Sequence, residues 1–328
     1  MEQELDVYKI KMMKFFNTIL FLFVFEFAIG QVPGTLGFSY KSPLAQSFTL
    51  SVSSAGFSTA NVTARIINNG VMSVTTSGIL WGFSVPTISS YTGITTDGNI
   101  AGNEYANTMT GLTLGGTYYV VAYATNIAGT SYGNVLTYTH GTVYNSTTGK
   151  TWLAVNLGAT AFPTSASDAN GYGDLYQWGR LKDGHEKRTS GSTSSKNGND
   201  QPNNGGLFIT GTHWTNNNNL WQGVNGTNNP CPTGFRLPTQ QEFSDEIATW
   251  NQTNATYGAF SSVLKLTWAG RRSNGTNVAG QHSGIIGYYW TSSLAGVWAA
   301  NIKIYNSRIY EVSNSYNGDA HSVRCIKD

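Results

Sequence analysis

The stretch CPTGFRLPTQQEF, residues 231–243, decides how the second half of this chain is read. Pro232, Thr233 and Gly234 spell a turn and Phe235-Arg236-Leu237 a short strand. Thr239 with Glu242 three residues on spells a capping box, in which a hydroxyl and a carboxylate satisfy orphan N–H groups of a helix start. Phe243, Ile247 and Trp250 then recur at helical spacing, which predicts a helix ending near Asn251 with one apolar face laid on a sheet. The same stretch begins with one of two cysteines; the other is Cys325 in the terminal SVRCIKD.

Working outward, the 328 residues suffice for two ordinary domains. Charged residues make up 11% of the chain, against about a quarter in average globular proteins. The 38 glycines and 13% aromatics suit many short strands and turns, so the bias is toward β structure. A net charge of +2 with no Lys/Arg cluster argues against nucleic acid, which needs a concentrated basic face.

Near the amino end, Lys14, the apolar run from Phe15 to Phe25 and the small residues Ala28 and Gly30 read as a secretory signal peptide covering residues 1–30. The run is short for a membrane span, and no second one follows. The expectation is an exported protein, extracellular or at the cell surface, with no membrane span in the mature chain; export also permits a disulfide.

Residues 31–140 are predicted to form an all-β sandwich of the fibronectin or immunoglobulin kind. Short β-rich runs (SFTLSVSS, NVTARII, GILWG, EYANTMTGL, TYYVVAYATN, NVLTYTH) alternate with turn signals such as INNG, LGGT and IAGTSYGN. The stretch MTGLTLGGTYYVVAYATNIAGTSYGNVLTYT resembles the last strands of fibronectin type III-like modules of bacterial surface proteins. Trp81 is expected in the core, and the module is expected to act as a spacer.

At His140-Gly141 the character changes to Asn, Gly and Trp. Residues 141–328 resemble the Fibrobacter succinogenes major paralogous domain through TGKTWLAVNLGA, YGDLYQWGR followed by DGHEKR, NLWQGVNGTNNPCPTGFRLPT, GYYWTSS and SVRCIKD. That family is similar to the formylglycine-generating-enzyme subclass of C-type lectin-like folds, which implies an α+β lectin-like domain rich in short strands and loops. A Cys231–Cys325 disulfide is the economical pairing of the two cysteines, with two separate buried thiols as the alternative.

Catalytic patterns are lacking. The five histidines are scattered, with no HExxH, no Cys/His pair at metal-ligand spacing and no GxSxG. The copper-binding dithiol of formylglycine-generating enzymes is not reproduced by Cys231 and Cys325. DGHEKR, residues 183–188, reads as a solvated hairpin pairing locally. SASDANGYGD and NGNDQPNN, where Asp and Asn oxygens crowd, are the candidate positions for a structural calcium; no other cofactor is implied.

The remaining candidate is a recognition surface. Trp298, Tyr305, Tyr310 and Tyr316 are interspersed with amides and with Asn317, Asp319 and His321, a mixture of rigid rings and adaptable polar groups suited to binding. In lectin-like proteins diversified by retroelements, the stretch before a final SVRC strand is the ligand face, and the resemblance implies the same for residues 294–321. The expected function is a non-catalytic recognition protein for a glycan or an extracellular protein. An extracellular hydrolase with an unrecognised carboxylate pair and a purely structural surface component are the rival readings.

Overall fold

The computed structural model describes residues 44–70, 72–97, 104–196, 199–202, 204–250, 258–305 and 311–328; the segment read as a signal peptide and Tyr310 lie outside them. The chain packs as two compact units. One comprises Val62–Asn107, Tyr119–Leu136 and the described residues through Val52, and the other Ser53–Asn61, Thr108–Tyr118 and Thr137–Asp328. The division is thus interleaved around the sandwich strands, where the sequence suggests a single break at residue 140.

Seven strands build the amino-terminal architecture: β1 (Gln46–Gly56), β2 (Thr59–Asn68), β3 (Thr76–Gly82), β4 (Gly93–Ile94), β5 (Glu104–Met109), β6 (Thr117–Asn126) and β7 (Gly129–Thr139). They form a three-stranded sheet, β1-β2-β5, and a four-stranded sheet, β4-β3-β6-β7, a fibronectin type III-like sandwich. β6 is the central strand that TYYVVAYATN predicts, with Tyr118, Val120, Val121, Ala122, Tyr123 and Ala124 all buried. Trp81 lies in the core, and Gly93 packs on it so closely that a Cβ there would stand 2.2 Å from the indole ring. Asn134 joins the sheet edges: its side-chain amide accepts from the Thr49 N–H at 2.9 Å and donates to the Thr49 carbonyl at 3.1 Å, in place of a backbone ladder.

The second unit carries β8 (Thr142–Asn145), β9 (Lys150–Leu153), a 3-10 turn at Ala169–Gly171, β10 (Tyr176–Gln177), β11 (Ser192–Thr193), β12 (Phe208–Ile209) and β13 (Phe235–Arg236). There follow α1 (Gln240–Ala248), α2 (Gly258–Ser261), β14 (Ile286–Ala295), β15 (Trp298–Tyr305), β16 (Glu311–Ser315), β17 (Ala320–His321) and β18 (Ile326–Lys327). Its larger sheets are β13-β18-β9-β8 and β14-β15-β16; β10 pairs with β17 and β11 with β12.

The opening motif folds as its residues dictate. Thr239 and Glu242 form the reciprocal capping box of α1, and Arg236 grips the Glu242 carboxylate with both Nη atoms at 2.8 Å. Phe243 and Ile247 bury the helix against Trp152, Tyr289, Ile302 and Ile304. The helix stops at Ala248, short of Asn251, because the Thr249 hydroxyl donates back to the Glu246 carbonyl at 2.7 Å; Trp250 stays buried beyond the end.

A disulfide joins Cys231 to Cys325 across a sequence separation of 94. In the chain-entropy description a loop of that size stabilises by at most about 4–5 kcal/mol. Cys325 packs beside Trp178, Trp221, Phe235 and Trp290. The buried indole N–H groups find carbonyls there, Trp178 on Thr291, Trp221 on Asn228 and Trp290 on Tyr176, so these large rings are enclosed without an orphan donor.

Arg236 beside Glu242 holds that carboxyl down at about 2, against an ordinary 4.5. A depressed carboxylate stabilises the fold fully above its unfolded pKa and loses that contribution as pH falls toward the folded one. Glu242→Gln should therefore lower the melting temperature by several degrees at pH 7. The gap from the unaltered protein should close between about pH 4.5 and 2 in thermal melts.

Candidate functional site

Trp298 opens β15 and Tyr316 follows β16, and the antiparallel pairing of those strands brings the two rings within 4.2 Å of each other. His213 meets Tyr316 edge-on at 5.3 Å. All three are partly exposed, so they form a run of rings reachable from solvent. Tyr305 is also partly exposed, but it closes β15 opposite Ile286. Seven residues of strand put it about 23 Å from Trp298, away from this run.

Asn317, Asp319 and His321 are corrections. The sequence reading places them on a ligand face, whereas they are 5%, 5% and 0% exposed. The physical reason is that Asn317 and Asp319 hold backbone groups of neighbouring loops, while His321 is packed among aromatic rings. Asn317 accepts from the Trp214 N–H at 3.0 Å and donates to the Thr215 carbonyl at 2.8 Å. Asp319 accepts from the Asn274 N–H at 2.9 Å. His321 lies stacked on Trp290 at 3.9 Å, and burial with the nearby charges of Arg271 and Lys303 keeps it neutral far below the usual histidine range.

These braces set the shape of the surface beside the rings. Gln177 donates to the carbonyls of Ile209 and Gly318, both at 2.8 Å, and accepts from the Ile209 N–H at 3.0 Å. One buried amide thereby ties β12 to the turn after Tyr316. Gly318 is required in that turn, since a Cβ would lie 1.9 Å from the Gly211 carbonyl oxygen. The backbone held in this way borders a depression of about 330 Å³ lined by Lys196, Asn199, Asp200, His213, Thr215 and Asn217. His213 belongs both to the depression and to the ring run.

The lining is polar, and its one carboxylate is engaged. The Thr215 hydroxyl and the Asn217 amide donate to the two Asp200 oxygens at 2.8 and 2.6 Å. Sequence reasoning missed His213, Lys196 and Thr215. The available signal was HWTNNNN, residues 213–219, an aromatic pair followed by amides that reads as an ordinary asparagine-rich loop.

DGHEKR is a second correction. It pairs locally, but His185 and Glu186 are buried, each 1% exposed. His185 Nδ1 faces Asp183 Oδ1 at 2.7 Å and Nε2 accepts from the Gln177 N–H at 3.1 Å, which assigns a neutral ring; burial pushes its pKa down. Asp183 also takes Arg180 at 2.7 Å, and Glu186 accepts from the Gly184 N–H at 2.8 Å. Although Asp183, His185 and Glu186 lie close enough to share an ion, the contacts formed hold Gln177 and its loop. In the two stretches suggested for calcium, Asp168 accepts from Thr164 and Asn170, Asp174 pairs with Lys187, and Asp200 is bonded as above.

No protein-family model and no curated protein matches the chain. Among solved structures, the sensor domain of the anti-sigma factor RsgI4 in Pseudobacteroides cellulosolvens is similar at 13% identity, with 30% of this chain and 94% of that one covered and a TM-score of 0.22. A myokine structure is similar at 14% identity, covering 29% and 96%, with a TM-score of 0.22. The sixth fibronectin type III domain of human fibronectin type III domain containing protein 3 shares 19% identity, covering 32% and 91%, with a TM-score of 0.21. No helix among the described residues is long and apolar enough to cross a membrane.

Removing one brace should disturb the depression more than the fold around it. Asn317→Ala strips two partners from the Trp214–Thr215 backbone and should cost about 2–3 kcal/mol in denaturant unfolding. Faster amide exchange confined to residues 212–217 is the accompanying local signature.

Proposed function

We propose that the protein is an exported, non-catalytic recognition protein whose second unit binds a glycan, with the fibronectin-like sandwich as its spacer. The observation that carries this reading is the partly exposed run Trp298, Tyr316 and His213 opening onto an amide-rich depression. Sugar rings present apolar C–H faces that stack on aromatic planes, while their hydroxyls need adaptable donors and acceptors of the Asn, Thr and Lys kind. A depression of about 330 Å³ is at the small end of ligand sites, suited to one or two sugar rings.

Binding is favoured over hydrolysis because a glycosidase needs two cooperating carboxylates. Among the residues lining the depression Asp200 alone is acidic, and both its oxygens already accept hydrogen bonds. Export rests on the signal-like residues 1–30 and accords with the disulfide. The lectin-like assignment of the second unit, and its membership of the Fibrobacter succinogenes major paralogous domain, rest on the sequence landmarks.

Residues 31–328, applied to a broad glycan array, should retain at least one class of glycan. Replacing Trp298 and Tyr316 together by Ala should weaken that binding at least about tenfold, with a melting temperature close to that of the unaltered protein. Undiminished binding by the double variant would move the site elsewhere, and no binding across the array would contradict glycan recognition.

A further inference from the structure

Between β3 and β4 runs the loop FSVPTISSYT, residues 83–92. In it Phe83, Val85, Ile88 and Tyr91 are 62%, 55%, 44% and 47% exposed. Monomeric proteins rarely expose large apolar side chains in such a group, and where they do the surface is an interaction site. The backbone that carries them is fixed. Thr87 and Ser90 exchange N–H to carbonyl hydrogen bonds at 2.9 and 3.0 Å, and the Thr92 N–H donates to the Trp81 carbonyl at 2.8 Å. The Ile88 N–H donates to the Tyr132 hydroxyl on β7 at 3.0 Å, and Pro86 is buried.

The loop encloses a hollow of about 260 Å³ lined by Gly82, Phe83, Ser84, Ser90, Tyr91 and Thr92. Its two limbs converge at Gly82, where a Cβ would stand 3.2 Å from the Ser84 carbonyl oxygen and 3.5 Å from Thr92 Oγ1. Apart from Gly82, every lining residue is exposed, so the hollow is open to a solute. The hydroxyls of this region divide into two sets. Those of Thr87, Ser89 and Tyr132, outside the lining, have partners: Thr87 and Ser89 lie 3.1 Å apart, and Tyr132 accepts from Ile88. Those of Ser84, Ser90, Tyr91 and Thr92, all in the lining, have none among the described residues. No lining residue is charged, and no charged residue occurs in the sequence from Ile66 to Thr96.

We propose that this hollow binds a neutral sugar ring, so that the sandwich is itself a recognition module as well as a spacer. The Phe83 and Tyr91 rings supply apolar faces for the C–H side of a sugar. Each hydroxyl of the lining can donate one hydrogen bond and accept others, as the hydroxyls of a sugar require. An extended apolar peptide would use the rings but leave those hydroxyls unpaired. A charged ligand would give up hydration without meeting an opposite charge. The volume suits about one ring, and the pinned backbone needs no ordering when it arrives. This site does not rest on the reading of the second unit, whose aromatic run is a different set of residues.

The test is saturation-transfer NMR of maltose, cellobiose and xylobiose, each at about 10 mM to suit a millimolar Kd. The whole chain is used, carrying Trp298→Ala and Tyr316→Ala so that the rings of the other site are absent. At least one disaccharide should receive saturation on its C–H protons. Phe83→Ala or Tyr91→Ala should weaken that binding at least about tenfold. Thr92→Val, which removes one hydroxyl at nearly constant shape, should weaken it about threefold and decides the matter if the ring variants unfold. Val85→Ala, on the same loop but outside the lining, should leave it unchanged. No transfer to any of the three sugars would overturn the site, as would transfer that survives in Phe83→Ala and Tyr91→Ala alike. Decaproline, an extended apolar peptide, receiving saturation in place of the sugars would overturn the sugar assignment. A millimolar site does not survive the washes of an array, so the array reports on the second unit alone and the two readings fail separately.

Discussion

Ten consecutive residues near the carboxyl end, Asn317–Ile326, are buried without interruption, and half of them are polar or charged. Burying such a segment is unfavourable unless its groups find partners, and much of the second unit is arranged to supply them. Ala320 exchanges backbone hydrogen bonds with Arg272, Ser322 donates to Tyr288 and accepts from Trp290, and Val323 and Cys325 accept from Leu157 and Leu153. Arg324 is wholly enclosed, donating to the Asn156 side chain and to the carbonyls of Leu153 and Leu264. Burial lowers its pKa to about 10, which leaves it charged at neutral pH with neutral acceptors around it. Cys325 adds the covalent tie to Cys231.

The candidate site follows from that constraint. Because Asn317 and Gly318 are fixed, Tyr316 just before them is fixed as well, and the Trp298 and His213 rings pack onto a stationary neighbour. The same two residues hold the Thr212–Thr215 backbone that borders the depression. Rings exposed on one side and held from behind by buried amides lose little conformational entropy when a ligand arrives. Division of labour is therefore sharp within a few residues of chain: Tyr316 faces solvent, while Asn317 and Asp319 work inward.

This division is what composition conceals. A polar run such as NSYNGDAH reads as surface, since Asn, Asp and His are mostly exposed in proteins, and nothing local announces that Asn317 has a backbone waiting for it at Trp214. Signals that act within a few residues were legible: the capping box at Thr239 and Glu242, the Tyr-rich central strand of the sandwich, the core position of Trp81. The pairing of the two cysteines was legible because no other partner existed. Long-range contacts were not, so His213 and Lys196, about a hundred residues before Trp298 and Tyr316, carried no sign of belonging with them. The burial of His185 and Glu186 was hidden for the same reason: His185 accepts from the Gln177 N–H, and the Gln177 side chain reaches Ile209 and Gly318, distant in sequence.

Asn317–Ile326 is thus an internal brace and not a ligand-facing loop. Hydrogen–deuterium exchange read by mass spectrometry tests it directly. Amides 318–326 should exchange as slowly as those of β14 and β15, through global unfolding only. Exchange of that segment within seconds at neutral pH, while β14 and β15 stay protected, would contradict it and return these residues to the surface.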